Sequence, residues 1–392
     1  MANVFVQRGG TRIHLRSVVE DLAHVTASVA EPTGDAVRAS EEIYARISGV
    51  LTQRRMQVVH ERIFGSLKLR EAILEARRRA LRQSGQEEDR PITFIEGRPP
   101  WGDGLAGVLI QAVRPQQAGG VWTITEDGVA RGRGWKRNGA TFLMLQDLHG
   151  AAAGSGRELQ AGRMFEQANR LLEGQGATYR DTARTWIYLP NILDWYDGFN
   201  AARNARYREF GLIPARPAPG GGPRTLLPAS TGISGDNPHG AGSVMDLLAV
   251  AHKPESPVKV GQMTNARQKD AFEYGSAFSR GAWIREPDMT QVQVSGTAAI
   301  GERGKSLFPG DCRAQIFRTL DTIEALVAQA GASLKDICQA TVFLKRGQDL
   351  PVYRQAAAER GLADLPAVCV VADICRDDLL FEIDATVEFA RR

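Results

Sequence analysis

The chain has 392 residues, 43% of them hydrophobic and 24% charged, with a formal net charge of +4. That composition fits two or three globular domains and excludes a disordered, collagenous or disulfide-stapled chain. Residues 1–8 lack the apolar core of a signal peptide and no apolar run approaches membrane-spanning length, so a cytoplasmic location is expected.

Basic residues gather at Arg54 and Arg55 and again from Arg77 to Arg79, without aromatic interleaving. Neither nucleic acid nor membrane is therefore an expected partner. Cys312, Cys338, Cys369 and Cys375 all fall in the last quarter, with no Cys-x-x-Cys pair and no histidine at zinc-ligand spacing. A structural metal is not expected.

In chain order, residues 1–35 read as an irregular arm ending in a Pro-Thr-Gly-Asp turn. A helix is predicted over 36–54, a strand over 56–64, and an amphipathic helix over 67–83 with Leu69, Ile73, Leu74 and Leu81 on its apolar side. Short strands follow at 92–95, 107–113, 121–125 and 140–145. The Gly-Arg-Gly at 132–134 opens no helix and is no phosphate loop. Residues 214–223, rich in Gly and Pro, form the most conspicuous break.

An internal repeat organises the remainder. Gly176-Ala-Thr-Tyr-Arg-Asp-Thr-Ala-Arg-Thr-Trp-Ile-Tyr-Leu189 matches Gly331-Ala-Ser-Leu-Lys-Asp-Ile-Cys-Gln-Ala-Thr-Val-Phe-Leu344. Each copy follows a helix, at 164–173 and 316–330, and precedes another, at 196–210 and 352–360. Each then opens a strand on Leu-Pro-Ala, at Leu227 and at Leu365. The expected fold is α+β: two tandem domains, each a mixed sheet with two helices on one face, plus an N-terminal helical extension. The boundaries implied are 1–55 for the arm and helix, 56–235 for the first domain and 236–392 for the second. A cleft between the two is the default ligand site.

The chain ends in two predicted strands, 368–374 and 379–389, around the turn Arg376-Asp377-Asp378. Glu382 lies inside the second. Either it sits on the solvent face of an edge strand, or it is buried and must be paired or protonated. A carboxyl kept protonated near neutral pH is what a general acid requires.

At this point the motifs resemble a known group. The repeat is similar to the RidA (YjgF-like) fold, and the pair of copies resembles the chorismatases, which cleave chorismate to pyruvate and a cyclic acid. The resemblance is carried by Ala183-Arg-Thr-Trp-Ile-Tyr188, Leu227-Pro-Ala-Ser-Thr-Gly-Ile233 with His239-Gly-Ala-Gly242, and Tyr274-Gly-Ser-Ala-Phe-Ser-Arg280. Val294-Ser-Gly-Thr-Ala-Ala-Ile300 with Gly310-Asp311 and Asp373-Ile-Cys-Arg-Asp-Asp-Leu-Leu-Phe-Glu-Ile383 complete it. It runs from about residue 120 to the end, leaving residues 1–115 unmatched.

The resemblance implies Glu382 as proton donor and Cys375 as the residue separating 3-hydroxybenzoate formers from hydrolases with alanine there. It implies Arg280, Tyr274, Lys345 and Arg346 as carboxylate binders, with Gly240, Ala241 and Thr297 also at the substrate. It implies a carboxylate-bearing, chorismate-like small molecule as substrate, no cofactor and no metal, and it leaves homo-oligomerisation open. Imine deaminases of the RidA group carry an arginine where this chain has Val368, which can neither donate nor carry charge. Two other readings remain: a RidA-like enzyme acting on an imine, enamine or chorismate analogue, and a non-catalytic ligand-binding protein.

Overall fold

A computed structural model describes residues 2–8, 10–32, 35–117, 119–214 and 226–391. Its first strands are β1 (Ala2–Arg8), β2 (Thr11–Ser17) and β3 (Leu22–Val29). They correct the irregular arm expected over residues 1–35. Thr11-Arg-Ile-His-Leu-Arg-Ser alternates as a strand does, burying Ile13 and Leu15. Asp35 then caps α1 (Ala36–Gln53) by accepting from the Val37 and Arg38 amides at 2.9 and 3.1 Å. Next come β4 (Gln57–Gly65), α2 (Arg70–Gln83), β5 (Thr93–Glu96) and β6 (Leu105–Val113). The strands order as β1-β2-β3-β6-β4-β5.

The same plan then recurs twice. The second unit holds β7 (Val121–Glu126), β8 (Val129–Arg137), β9 (Ala140–His149), α3 (Arg157–Glu173), β10 (Thr182–Tyr188), α4 (Ile192–Glu209), β11 (Ala229–Ile233) and β12 (Val244–His252). The third holds β13 (Lys259–Met263), β14 (Gly281–Arg285), β15 (Met289–Ala298), α5 (Cys312–Ala328), β16 (Ile337–Leu344), α6 (Leu350–Glu359), β17 (Ala367–Val371) and β18 (Phe381–Ala390). Their orders, β7-β8-β9-β12-β10-β11 and β13-β14-β15-β18-β16-β17, are the first sheet's order again. In every unit the strand between the helices pairs in parallel with the next strand and antiparallel with the last.

The α+β class and the repeated sheet-and-two-helix unit are therefore as expected, but the described residues form three units. The N-terminal extension is the first of them. Boundaries at 55 and 235 fall inside sheets, because β4 belongs with β1–β3 and β12 belongs with β7–β11. The repeat visible in sequence marks matching 3₁₀ turns. Thr178 with Asp181 and Ser333 with Asp336 form reciprocal capping boxes ahead of β10 and β16. In the first unit the corresponding turn is Arg54-Arg55-Met56, with Arg55 at φ 55° and no capping box.

The segment around 132–134 is mid-strand in β8. Glycine is needed there, since a Cβ at Gly132 would run into the Met144 carbonyl and one at Gly134 into the Trp122 ring. The break expected at 214–223 lies outside the described residues apart from residue 214. No helix among the described residues is long and apolar enough to cross a membrane.

Each sheet packs its helices on one face, around Ile43 and Ile73, around Phe165 and Phe199, and around Ile316 and Ile323. The other faces meet in a shared core that includes Phe64, Trp135, Trp186, Tyr188, Phe343 and Val368. Edges close head to tail: β4 and β5 lie on β8 and β9, β10 and β11 on β14 and β15, and β16 and β17 on β2 and β3. At equivalent positions of β4, β10 and β16, three polar side chains cross the seams. His60 Nε2 lies 2.8 Å from Asp246, Arg184 Nη2 lies 3.2 Å from Asp384, and Gln339 donates to the Val25 and Ile110 carbonyls at 3.2 Å.

Candidate active site

The seam between the second and third units carries a cavity of about 410 Å³. One wall is α4 and β11; the other is β15, the segment from Gln268 to Arg280, and the turn from Cys375 to Glu382. The walls are stitched together below the cavity. The Ser230 amide donates to Ser295 Oγ at 2.9 Å, and Ser295 Oγ donates to the Ser279 carbonyl at 2.6 Å.

Glu382 stands on β18, opposite Ala298 on one side and Phe343 on the other. Only 4% of it is exposed, and that surface faces the cavity. Burial pushes its carboxyl up to about 8; the neighbouring Asp384 charge adds to the rise, and Arg184 and Arg280 oppose it. The buried Arg184–Asp384 ion pair thus sets a fixed anion two residues from Glu382. The solvent-face alternative for Glu382 is excluded. At neutral pH the group is a carboxylic acid aimed into a cavity.

Gly296 makes room for it. A Cβ at that position would run into Glu382 Oε1. Gly296→Ala is therefore expected to displace the carboxyl and lower kcat by about 10²-fold with the melting temperature nearly kept. Steady-state kinetics beside thermal unfolding checks this.

Arg280 is 3% exposed and lines the cavity. Its Nη2 donates to Tyr274 Oη at 2.7 Å and to the Lys269 carbonyl, and its Nε donates to that carbonyl at 3.0 Å. Rings of Phe278 and Tyr274 lie 5.4 and 5.5 Å from its Cζ. The guanidinium is held rigidly and has no carboxylate partner among the described residues, which leaves its charge for a ligand. Tyr274 also lines the cavity, its hydroxyl pushed upward by burial against the pull of Arg280.

Cys375 lies across from these groups. Burial raises its thiol to about 12, Glu382 adds to that, and Arg376 and Arg280 oppose it. It faces the cavity as a neutral, compact side chain rather than a thiolate nucleophile.

Five expected binders do not line the cavity. Lys345 Nζ is held by Asp377 at 2.6 Å and lies 3.5 Å from Asp373, while Arg346 pairs with Asp349 at 2.8 Å; neither lines the cavity. Gly240 and Ala241 belong to the loop before β12, where Asn237 Nδ2 donates to the Ala241 carbonyl at 2.8 Å and Gly240 takes φ 61°. The adjacent Asp236 carbonyl accepts from the Glu96 amide, which places this loop on the first seam. Thr297, between two lining residues, turns away and donates to the Ser295 carbonyl at 2.8 Å. Lys345→Ala and Arg346→Ala are accordingly expected to change kcat/KM by less than about threefold, since exposed ion pairs contribute about 0–1 kcal/mol.

Sequence reading missed the α4 wall. Tyr196, Asn200 and Asn204 line the cavity at i, i+4 and i+8. That polar stripe on one helix face was the available signal. Burial takes the Tyr196 hydroxyl up to about 12. Two clusters among the described residues have metal-ligand composition, His24/Cys338/Glu388 and Asp147/His149/His239. Both lie outside this cavity. In each, a histidine is already bonded to the carboxylate, at 2.7 Å for His24–Glu388 and 2.9 Å for His239–Asp147.

Comparison with known proteins bears on this site. A chorismatase of Streptomyces hygroscopicus is 29% identical over 284 residues, 67% of this chain and 76% of that protein. A 3-hydroxybenzoate synthase of the same organism is 29% identical over 181 residues, 41% of this chain and 51% of that protein. This chain is chorismatase-like. The chorismatase crystal structure at 1.08 Å shares its fold, with a TM-score of 0.61, 21% identity, and coverage of 84% of this chain and 92% of that one. Residues 276–389 match the endoribonuclease L-PSP family, to which the RidA-type unit corresponds. That match falls within the third unit, whose strand order the other two units repeat.

Proposed function

We propose that this protein cleaves the enolpyruvyl ether of chorismate, with Glu382 as the proton donor. The observation that carries this reading is the Glu382 carboxyl, 4% exposed and facing the same cavity as the Arg280 guanidinium, which has no carboxylate partner among the described residues; burial pushes that carboxyl up to about 8. The similarity to chorismatases over 67% of the chain supports the same substrate class.

Chorismate is a dianion whose pyruvyl group hangs from an enol ether. Arg280 and the Tyr274 hydroxyl hold a carboxylate by charge-assisted hydrogen bonding. Glu382 gives its proton to the methylene carbon, forming the methyl group of the future pyruvate and leaving an oxocarbenium centre. The Glu382 carboxylate produced in that step stabilises the positive charge and later accepts a proton, which restores the acid. If water adds to the oxocarbenium carbon, collapse of the hemiketal gives pyruvate and a dihydroxylated cyclohexadiene acid. If the ring's own C4 hydroxyl instead adds to the oxocarbenium carbon, its C4–O bond then breaks as the C3 proton is lost and the ring aromatises; collapse of the resulting hemiketal gives pyruvate and 3-hydroxybenzoate, with no net water consumed.

Cys375 favours the second outcome. Its neutral side chain occupies the cavity beside Glu382, where alanine would leave room for water. An imine deaminase reading is disfavoured by Val368, which is fully buried in the shared core and packs toward Gly107.

Incubation with chorismate, followed by chromatography of the organic acids, tests the proposal. Pyruvate with 3-hydroxybenzoate is the expected pair. Pyruvate with the non-aromatic diol acid overturns the role given to Cys375, and the absence of pyruvate overturns the reaction.

A further inference from the structure

The head-to-tail closure places an equivalent cleft at the seam between the third and first units. There α6 and β17 take the places of α4 and β11, and β2 and β3 take those of β14 and β15. A cavity of about 220 Å³ occupies it. The position matching Glu382 is Gly107, since Phe343 faces Glu382 in the third sheet and Phe64 faces Gly107 in the first. The acid is gone. A side chain there would meet the Ala27 carbonyl and Val368.

What remains is cationic. Arg12 and Arg354 both line the cavity, and neither has a carboxylate partner among the described residues. Arg12 Nε is buried without a hydrogen-bond partner, and Arg354 Nη2 donates to the Ala30 carbonyl. His14, 4% exposed, also faces the cavity and has no hydrogen bond among the described residues. Burial and the charges of Arg16 and Arg12 hold its imidazole down at about 4 against the opposing field of Asp364, so it is neutral at pH 7. Arg354 and Arg12 both act on the Cys369 thiol in the same wall. Trp101 and Tyr353 supply apolar surface beside the charges.

We infer that the third seam is a second, non-catalytic ligand site that binds a small aromatic monocarboxylate between Arg12, Arg354 and His14. The two guanidinium groups take the carboxylate, neutral His14 donates to it, and Trp101 and Tyr353 cover the ring. This inference is independent of the reaction assigned to Glu382.

The probe is 4-fluorobenzoate, followed by ¹⁹F NMR. An Arg280→Met background removes carboxylate binding at the catalytic cavity. In that background one class of bound probe is expected. Adding Arg12→Met or Arg354→Met is expected to weaken it about tenfold or more, as loss of a charge-assisted hydrogen bond does. Uncharged 4-fluorobenzyl alcohol is expected not to compete. Absence of the bound class, a change within about twofold in both variants, or equal competition by the alcohol overturns the inference. Pyruvate release from chorismate is read separately, so either proposal can fail alone.

Discussion

Replacing Glu382 with glutamine is expected to lower kcat for chorismate by about 10²–10⁴-fold, the usual contribution of a positioned general acid. Binding should survive. A neutral carboxyl and an amide have nearly the same shape, and the Arg280 guanidinium that holds the substrate is unchanged. The substitution also makes a thermodynamic prediction. The folded Glu382 titrates near 8 and its unfolded counterpart near 4.5, so the folded state binds the extra proton between those values. Wild-type stability is therefore lost progressively as pH rises from about 4.5 through 8, by on the order of a few kcal/mol. Glu382→Gln has no such loss. Its melting temperature should equal or exceed that of the wild type at pH 8 and approach it below pH 4.5. A catalytically dead variant that is also less stable at pH 8 would contradict the burial of a neutral acid. The same titration sets the activity profile: wild-type kcat should fall as pH passes through about 8.

Arg280→Met carries the second large effect. Two charge-assisted hydrogen bonds to a substrate carboxylate, each contributing about 1.5–3 kcal/mol, correspond to a drop in kcat/KM of about 10²–10³-fold once their loss is shared with water. The change should appear chiefly in KM. Arg280→Lys is not expected to rescue it. An ammonium cannot keep the Tyr274 hydroxyl and the Lys269 carbonyl while also presenting a fork to the ligand. A second readout separates anchoring from simple misfolding. Arg280 lowers the pKa of Glu382, so its removal should move the alkaline limb of the rate profile to higher pH. A variant with unaltered KM, or with its alkaline limb moved downward, contradicts the assignment.

Much of the third unit was legible in the chain. Glu382 stood out because a carboxylate inside Leu379-Leu-Phe-Glu-Ile383 has to be neutralised or paired, and burial neutralises it. Arg280 stands between Phe278 and Trp283 in sequence; the Phe278 ring does lie beside its guanidinium, but the second ring there is Tyr274, and Trp283 lies against Arg285 instead. The second and third units announced themselves because the glycine and the capping aspartate recur at the same turn. The first unit makes that turn with Arg55 in a left-handed conformation, so nothing in its sequence rhymes with the others.

Tertiary placement accounts for the misplaced binders. Lys345 and Arg346 lie just beyond β16, adjacent in sequence to strand residues that do approach the shared core. Their charges are consumed by Asp377, a partner 32 residues away that no local pattern reveals, and by Asp349, three residues on from Arg346. Gly240 and Ala241 follow the Leu-Pro-Ala strand closely, yet the chain carries them to a different seam. Conversely, Tyr196, Asn200 and Asn204 join the cavity only because α4 crosses toward the third unit. Which seam each residue meets is decided by the head-to-tail closure of three sheets, a long-range property absent from any single segment.

The central claim is that Glu382 is an uncharged acid in the resting protein. Infrared difference spectroscopy between the wild type and Glu382→Gln at pH 7 reads that state directly. A carboxylic acid carbonyl band present only in the wild type, and converted to a carboxylate band as pH rises through about 8, is the predicted result. A carboxylate band already present at pH 6 would contradict it and remove the proton donor from the mechanism.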